Sequence, residues 1–412
     1  MATPQDKHKR LYDRADSFGR MSIALHWLIA GLIVLQFMLA KLAAYTTSNL
    51  RELVLLANHK SVGITILMLA LVRVAWRLSH KPPPLPPSLP NWQVVASHIS
   101  HWSLYALIFF MPVTGWLMSS ASAFSVSWFN LFQLPDLVAP NPELKETLED
   151  THRFLSYVLL TVASLHIIAA LKHKIVDKDG IMERMTNKTA LALFAAVIFF
   201  GAWSLATAAT PGQAVTHGDQ PIEDRHPVQV APESALPAWN IVYGSSHIRF
   251  TGKQAGATFQ GEWTDWDAVI RFAADDLANS RFDVTIRTAA VNTLNEDRDA
   301  ALADPEWFDS INYPVATYSA SRFSKSANGA WIAEGSLTIK GMSAPVPLVF
   351  RVTREGERVV LAGSAELLRI TLGVGTGEWE DTTWVGNEVT VEVHVEANAK
   401  QDRIRDDPSE RR

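Results

Sequence analysis

The sequence predicts two unlike halves: a bundle of membrane-spanning helices, followed by an exported antiparallel barrel or sandwich of strands. Three observations predict this. Long charge-poor stretches fill the first half of the 412 residues, and only 19% of the whole chain is charged. From about Trp239 the hydrophobic period changes to two, the mark of half-buried strands. Lysine and arginine collect in alternate loops between the apolar stretches, as they do in multi-pass membrane proteins. The chain holds no cysteine, which excludes disulfides, thiolate-held clusters, covalent c-type haem and cysteine nucleophiles. A net charge of −5 gives no reason to expect nucleic acid.

A bilayer crossing needs about 20 mostly apolar residues. Five stretches qualify, roughly 21–40, 53–78, 94–118, 152–171 and 189–209. The second and third are too polar for lipid alone and are expected to pack against other helices. Lys7, Lys9, Arg10, Arg14 and Arg20 precede the first span. Arg73, Arg77 and Lys81 follow the second, and Lys172, Lys174, Lys178, Arg184 and Lys188 follow the fourth. The remaining loops hold only Lys41, Arg51 and Lys145, beside the acidic Asp136, Glu143, Glu146, Glu149 and Asp150. The positive-inside rule therefore places the N-terminus inside and, after five crossings, everything beyond Ala209 outside.

The segment KPPPLPPSLP, Lys81 to Pro90, reads as a stiff polyproline spacer between two helices. Residues 210–238 read as a flexible linker, and the densely charged end, 398–412, as a tail. Lys188, an apolar run and Ala206-Thr207-Ala208 also fit an internal signal-like segment with a cleavage site. On either reading the C-terminal part is exported.

Six of the thirteen histidines lie in or at the ends of the first four spans: His26, His59, His98, His101, His152 and His166. Ionisable groups at membrane depth are costly and point to function. Depth sorts four of them into pairs. His26 and His166 lie toward the inner face, His59 and His152 at the outer face. His152 and His166 are 14 residues apart, so they share a face of the fourth span, offset by about 40° and separated by roughly 21 Å. One helix can thus offer an imidazole to each of two stacked haems, and two neutral imidazoles per iron leave no open position. His98 and His101 remain open alternatives as competing inner ligands, propionate contacts, quinone-pocket residues or packing. His8, His80, His217 and His226 lie in polar segments and receive no role, and His173 is expected at the interface among lysines.

The stretches SIALHWLIAG, NHKSVGITILMLALVRVAWRL, SHISHWSLYALIFFMPVTGWLM and THRFLSYVLLTVASLHIIAALKHK resemble the bacterial cytochrome b561 family over about 14–188. That resemblance implies an inner-membrane four-helix bundle holding two haem b groups on His26, His166, His59 and His152. It implies electron exchange with the quinone pool and, as described for some members, oxidation of superoxide with the electrons passed to ubiquinone. Lys60, Arg153, Lys41 and Arg51 could then form a positive outer rim that steers a small anion, although interface anchoring and haem-propionate neutralisation are the expected roles of such residues. The fifth span and all that follows depart from the family pattern.

Within 239–397, Val389, Val391, Val393 and Val395 alternate with Thr390, Glu392, His394 and Glu396. Phe282, Val284 and Ile286 alternate with Asp283, Thr285 and Arg287, and Leu348, Phe350 and Val352 follow the same pattern. Between 236 and 398 there are 13 Lys and Arg against 22 Asp and Glu, a net charge that argues against an anionic lipid surface. His247 and His394 read as isolated, and His394, on the polar face of its strand, is expected to have no metal or catalytic role. Asp297, Asp299, Asp304 and Glu306 read as solvated helix caps. HIRFTGKQAGATFQGEW, NTLNEDRDAALADPEWFDSINYPVATY, EGSLTIKGMSAPVPLVF and WVGNEVTVEV resemble the YceI-like family. The resemblance implies a lipocalin-like antiparallel barrel, periplasmic, whose cavity takes a polyisoprenoid or quinone-like lipid. Phe250, Phe259, Phe308, Tyr318 and Phe323 are its candidate lining residues. Together the two resemblances imply a di-haem electron carrier in the lipid bilayer coupled to a lipid-binding barrel. The alternative is a lipid-binding or stress-response domain whose membrane part is chiefly an anchor.

Overall fold

The computed structural model describes residues 12–13, 17–87, 89–207 and 236–398. The basic residues Lys7, Lys9, Arg10 and Arg14, the histidines at 8, 217 and 226, most of the expected linker and nearly all of the charged tail lie outside these residues. The chain divides into two compact units, one helical and one of strands.

The helical unit begins with α1 (Arg20–Tyr45) and α2 (Asn49–Ser79). A short break separates them, because Thr46 is extended and the Ser48 hydroxyl caps α2 by accepting the Arg51 N–H at 3.1 Å. The proline-rich spacer carries the chain to α3 (Asn91–Ala121). A two-strand hairpin, β1 (Ser127–Trp128) with β2 (Phe132–Gln133), follows. Next comes α4 (Pro142–Lys172), which starts ten residues before the apolar stretch that announces it. The reason is local. The Asn141 side chain caps the helix by accepting the Leu144 N–H at 3.0 Å, Pro142 takes the first turn and Glu143 faces the positive end of the helix dipole. The acidic loop of the sequence reading is therefore partly helix. A single π-turn, His173–Asp177, ends α4, with Lys178 in the left-handed region.

These four helices are long and apolar enough to cross a membrane. Ile29, Leu35, Leu39 and Ala43 of α1 pack with Leu55, Val62, Ile66 and Ala70 of α2 and Ile108 of α3. Outward-facing Leu71, Val72, Phe110, Phe154, Tyr157, Leu165, Ile167 and Ile168 are exposed, the pattern of a surface made for lipid tails. The fifth apolar stretch is α5 (Lys188–Thr207), which packs on α1. Small residues let the two backbones approach. A Cβ on Gly31 would stand 3.2 Å from Val197, and one on Gly201 would stand 2.6 Å from Leu35.

The second unit contains β3 (Asn240–Ile241), β4 (His247–Gln254), β5 (Ala257–Trp263), β6 (Trp266–Arg271), β7 (Arg281–Arg287) and β8 (Val291–Asn292). A short helix, α6 (Glu296–Ala303), precedes β9 (Val315–Lys325), β10 (Trp331–Ile339), β11 (Met342–Glu355), β12 (Arg358–Leu368) and β13 (Glu388–Asn398). The sheet runs β6-β7-β9-β10-β11-β12-β13-β4-β5-β8, with β3 on β13, and its neighbours pair antiparallel. It forms a half-barrel of antiparallel strands. The period of two places Phe282, Ile286, Leu348, Phe350 and Val395 on the buried concave face. Because β4 pairs with β13, the first long strand of the unit lies beside the last.

Candidate functional site

The helical unit gathers histidines at two levels. His26 of α1 faces His166 of α4, with ring centres 6.3 Å apart and planes at 61°. His59 of α2 faces His152 of α4, with ring centres 6.4 Å apart and planes at 73°. All four side chains are half-buried. Imidazole nitrogens bind a metal at about 2 Å, and each ring centre lies about 1 Å further back, so two rings on opposite sides of one ion have centres roughly 6 Å apart. Both pairs match that spacing, so the members of each could hold a shared metal ion such as a haem iron.

The second nitrogen of a ligand histidine must also be held, because its partner decides which nitrogen faces the metal. His59 Nδ1 lies 3.3 Å from the Gln36 carbonyl oxygen, an acceptor that directs a proton to Nδ1 and leaves Nε2 free to bind. His152 Nδ1 lies 3.1 Å from the Thr114 hydroxyl, which in turn donates to the Met111 carbonyl at 2.9 Å. With the hydroxyl hydrogen committed, Thr114 accepts from His152. Gly115 makes room for that ring, since a Cβ there would stand 3.1 Å from His152 Cε1. The outer pair is thus oriented from both sides. Gln36 Oε1, on the residue whose carbonyl serves His59, is a buried polar atom without a partner.

The inner pair differs. Arg73 donates to His26 Nδ1 at 3.0 Å, and its guanidinium stands 5.4 Å from the Tyr105 ring centre. A guanidinium only donates, so this bond leaves the neutral ring's proton on Nε2. Metal binding through Nε2 therefore requires Arg73 to release His26, and a carboxylate such as a haem propionate is its natural alternative partner. His101 also approaches His166, with ring centres 5.3 Å apart, but it is an exposed residue, as is His98. The 6.3 Å spacing of His26 from His166 is the one that would suit two rings on opposite sides of a metal ion, and the 5.3 Å spacing of His101 is shorter.

Two residues of the expected positive rim have partners of their own. Arg153 pairs with Glu149 at 3.1 Å and with Asp150 at 3.2 Å. Lys60 sits 3.7 Å over the Phe124 ring and donates to the Phe124 carbonyl at 3.4 Å. At the other end, His80 stacks on Trp76 at 4.0 Å, and Tyr12 stacks on both. No periodic pattern announced that stack. His173, expected among lysines, contacts Asp179 at 2.6 Å and Asp177 at 3.2 Å, and Lys172 pairs with the same Asp177.

In the strand unit the five candidate lining residues fall into separate groups. Phe250 meets Phe259 and Trp263, and Trp263 meets Phe308. Phe323 joins Phe272, Phe282 and Phe350. Tyr318 lies against Gly335, and burial pushes its phenol up to about 12. The sequence reading missed Trp263, Phe272, Phe282 and Phe350 as members of these groups, although alternation put Phe282 and Phe350 on the inner face. Near Phe259, buried Arg298 donates to the Thr293 hydroxyl at 3.0 Å and to Gln254 at 3.1 Å, with its guanidinium 4.2 Å from the Phe259 ring centre. Asp299, expected as a solvated cap, accepts from the Thr293 N–H and hydroxyl, and Asn295 is the residue that caps α6.

Comparison with known proteins divides the chain at the same place. The model of the prokaryotic cytochrome b561 family matches residues 17–188, and that of the YceI-like domain matches 239–397. Cytochrome b561 homolog 2 of Escherichia coli (strain K12) is 30% identical over 178 residues, covering 42% of this chain and 93% of that protein. A Yersinia pestis protein named "Probable superoxide oxidase CybB" is 29% identical over 171 residues, covering 42% of this chain and 96% of its own length. The crystal structure of Burkholderia cenocepacia BcnA is 27% identical with a TM-score of 0.37, covering 39% of this chain and all of that one. Through its helical unit the chain belongs to the prokaryotic cytochrome b561 family, and it carries a YceI-like domain behind it.

Proposed function

We propose that the helical unit is a membrane di-haem cytochrome. His59 and His152 hold the outer haem b, and His26 and His166 hold the inner one. The observation that carries this reading is the trans-ligand spacing of 6.3 Å and 6.4 Å in two separate pairs that share one helix. Iron held by two imidazoles carries single electrons and has no position left for oxygen. Gln36 and Thr114 orient the outer ligands, and Arg73 is placed to neutralise a propionate near the inner pair. Apolar side chains of α1 and α2 exclude water between the levels.

In this reading the bundle sits in the bacterial inner membrane with its N-terminus in the cytoplasm, and α5 is a fifth crossing that places the YceI-like domain in the periplasm. The electrons pass to or from the quinone pool. Oxidation of superoxide is the donor reaction suggested by the Yersinia relative's name. The half-barrel holds an isoprenoid or quinone-like lipid along its concave aromatic face, lined by Phe250, Phe259, Phe308, Tyr318 and Phe323. Joining the two in one chain keeps a prenylated redox lipid close to the cytochrome.

The test is the absorption spectrum of the purified full-length chain. Two b haems per chain are expected, with His59→Ala and His26→Ala each losing one. A colourless protein from cells well supplied with haem would leave the membrane part as an anchor. Mass spectrometry of lipids extracted from the same preparation checks the barrel, and recovery of no prenylated molecule would count against its share of the proposal.

A further inference from the structure

His247 and His394 are 147 positions apart in sequence, yet they occupy directly opposed positions of β4 and β13. Their rings lie 5.0 Å apart, centre to centre, with planes within 12°. Two imidazoles that share one tetrahedral ion at about 2.0–2.1 Å place their ring centres about 5 Å apart, so the backbone register has already set the spacing of a metal-binding pair. The terminal torsion of histidine is broad, and a swing of either ring turns its lone pair toward a common point.

A second observation points the same way. His394 Nε2 lies 3.3 Å from Glu396 Oε1, and that carboxylate is also held by Arg358. A carboxylate accepting from one ring nitrogen fixes the tautomer, frees the other nitrogen as a ligand and raises its basicity. The neighbouring cations are each paired with a carboxylate, Arg249 with Glu262 at 2.9 Å and Arg358 with Glu396, which offsets part of their charge. Glu392, one turn of the pleat away on β13, adds negative charge beside the pair.

We propose that His247 and His394 form a binding site for a divalent d-block cation on the outer face of the YceI-like domain, with Glu396 as the residue that orients His394 and water completing the coordination. Imidazole ligands select zinc, copper or nickel over magnesium or calcium. The bound ion joins the first long strand of the unit to its last. It thus closes a seam that is otherwise held by backbone hydrogen bonds and side-chain packing.

The experiment uses the tag-free full-length chain in detergent, stripped with a chelator and titrated calorimetrically with Zn²⁺. One site that weakens at least about tenfold in His394→Gln and in His247→Asn is expected, with a smaller loss in Glu396→Gln. The near-ultraviolet circular dichroism and the urea midpoint of the strand unit in all three metal-free variants should match those of the metal-free unaltered chain, which shows that the unit folds. Cu²⁺ bound to the unaltered chain should show coupling to two imidazole nitrogens in its electron paramagnetic resonance spectrum. Zn²⁺ affinity unchanged by both histidine substitutions, or a copper spectrum without nitrogen coupling, overturns the proposal. So does a site abolished only by Asp177→Asn, which would place the ion at His173.

Discussion

On the proposed assignment His152 binds iron through one nitrogen and needs a partner for the other, which Thr114 supplies. Thr114→Val keeps the shape of the side chain and removes the acceptor. Removing such outer partners typically weakens metal binding by about 10–100-fold, so the variant should lose its outer haem first when the purified protein is titrated with a competing apo-haem acceptor. Sequence alone could not name Thr114, because nothing marks a threonine 38 positions before a histidine as its partner. Glu396 offers a second test at the level of one residue. Bonds from Ser245 and Arg358, then His394, lower its carboxyl from the usual 4.5 to about 2. A carboxylate with a lowered folded-state pKa contributes stability above the unfolded value and loses it as pH falls. Chemical denaturation of the strand unit should therefore show stability falling as pH drops from 4.5 toward 2, and Glu396→Gln should flatten that fall.

Helix ends and strand connections were read less well than their middles. The period of apolar residues located α1 to α5, but the start of α4 was set by Asn141, Pro142 and Glu143, three polar or rigid residues in a stretch that looked like loop. The connection between β12 and β13 depends on one buried cation. Arg369 donates to the carbonyls of Gly386, Val374, Gly375, Trp379 and Val385 and stands 5.5 Å from the Trp307 ring centre. Burial lowers its pKa, and the carbonyls compensate for that lost solvation. Arg369→Ala would strand several buried acceptors at once and should destabilise the strand unit by on the order of 3 kcal/mol, measured by urea unfolding against the tryptophan fluorescence of this unit. Composition could not reveal this, since a lone arginine in a turn usually faces water.

For the whole chain, the alternation of basic and acidic loops makes an orientation testable in cells. An alkaline phosphatase reporter fused after residue 398 should be active, as should one placed in the α3–α4 loop, whereas one placed after Lys178 should be silent. An inactive C-terminal fusion would remove the fifth crossing. The division into a helical and a strand unit, the four long spans, the place of each histidine along its span and both family resemblances were all legible in the order of residues. They depend on local period and on how far a residue lies from the end of its span, and both are linear properties of the chain. What the fold alone decided is which distant groups meet. The bond between Thr114 and His152, the bond from Arg73 to His26, the carbonyl clamp around Arg369 and the stacking of His247 on His394 arise from helix packing and strand register. Contacts of that kind depend on the summed geometry of everything between the partners, and no local pattern encodes that sum.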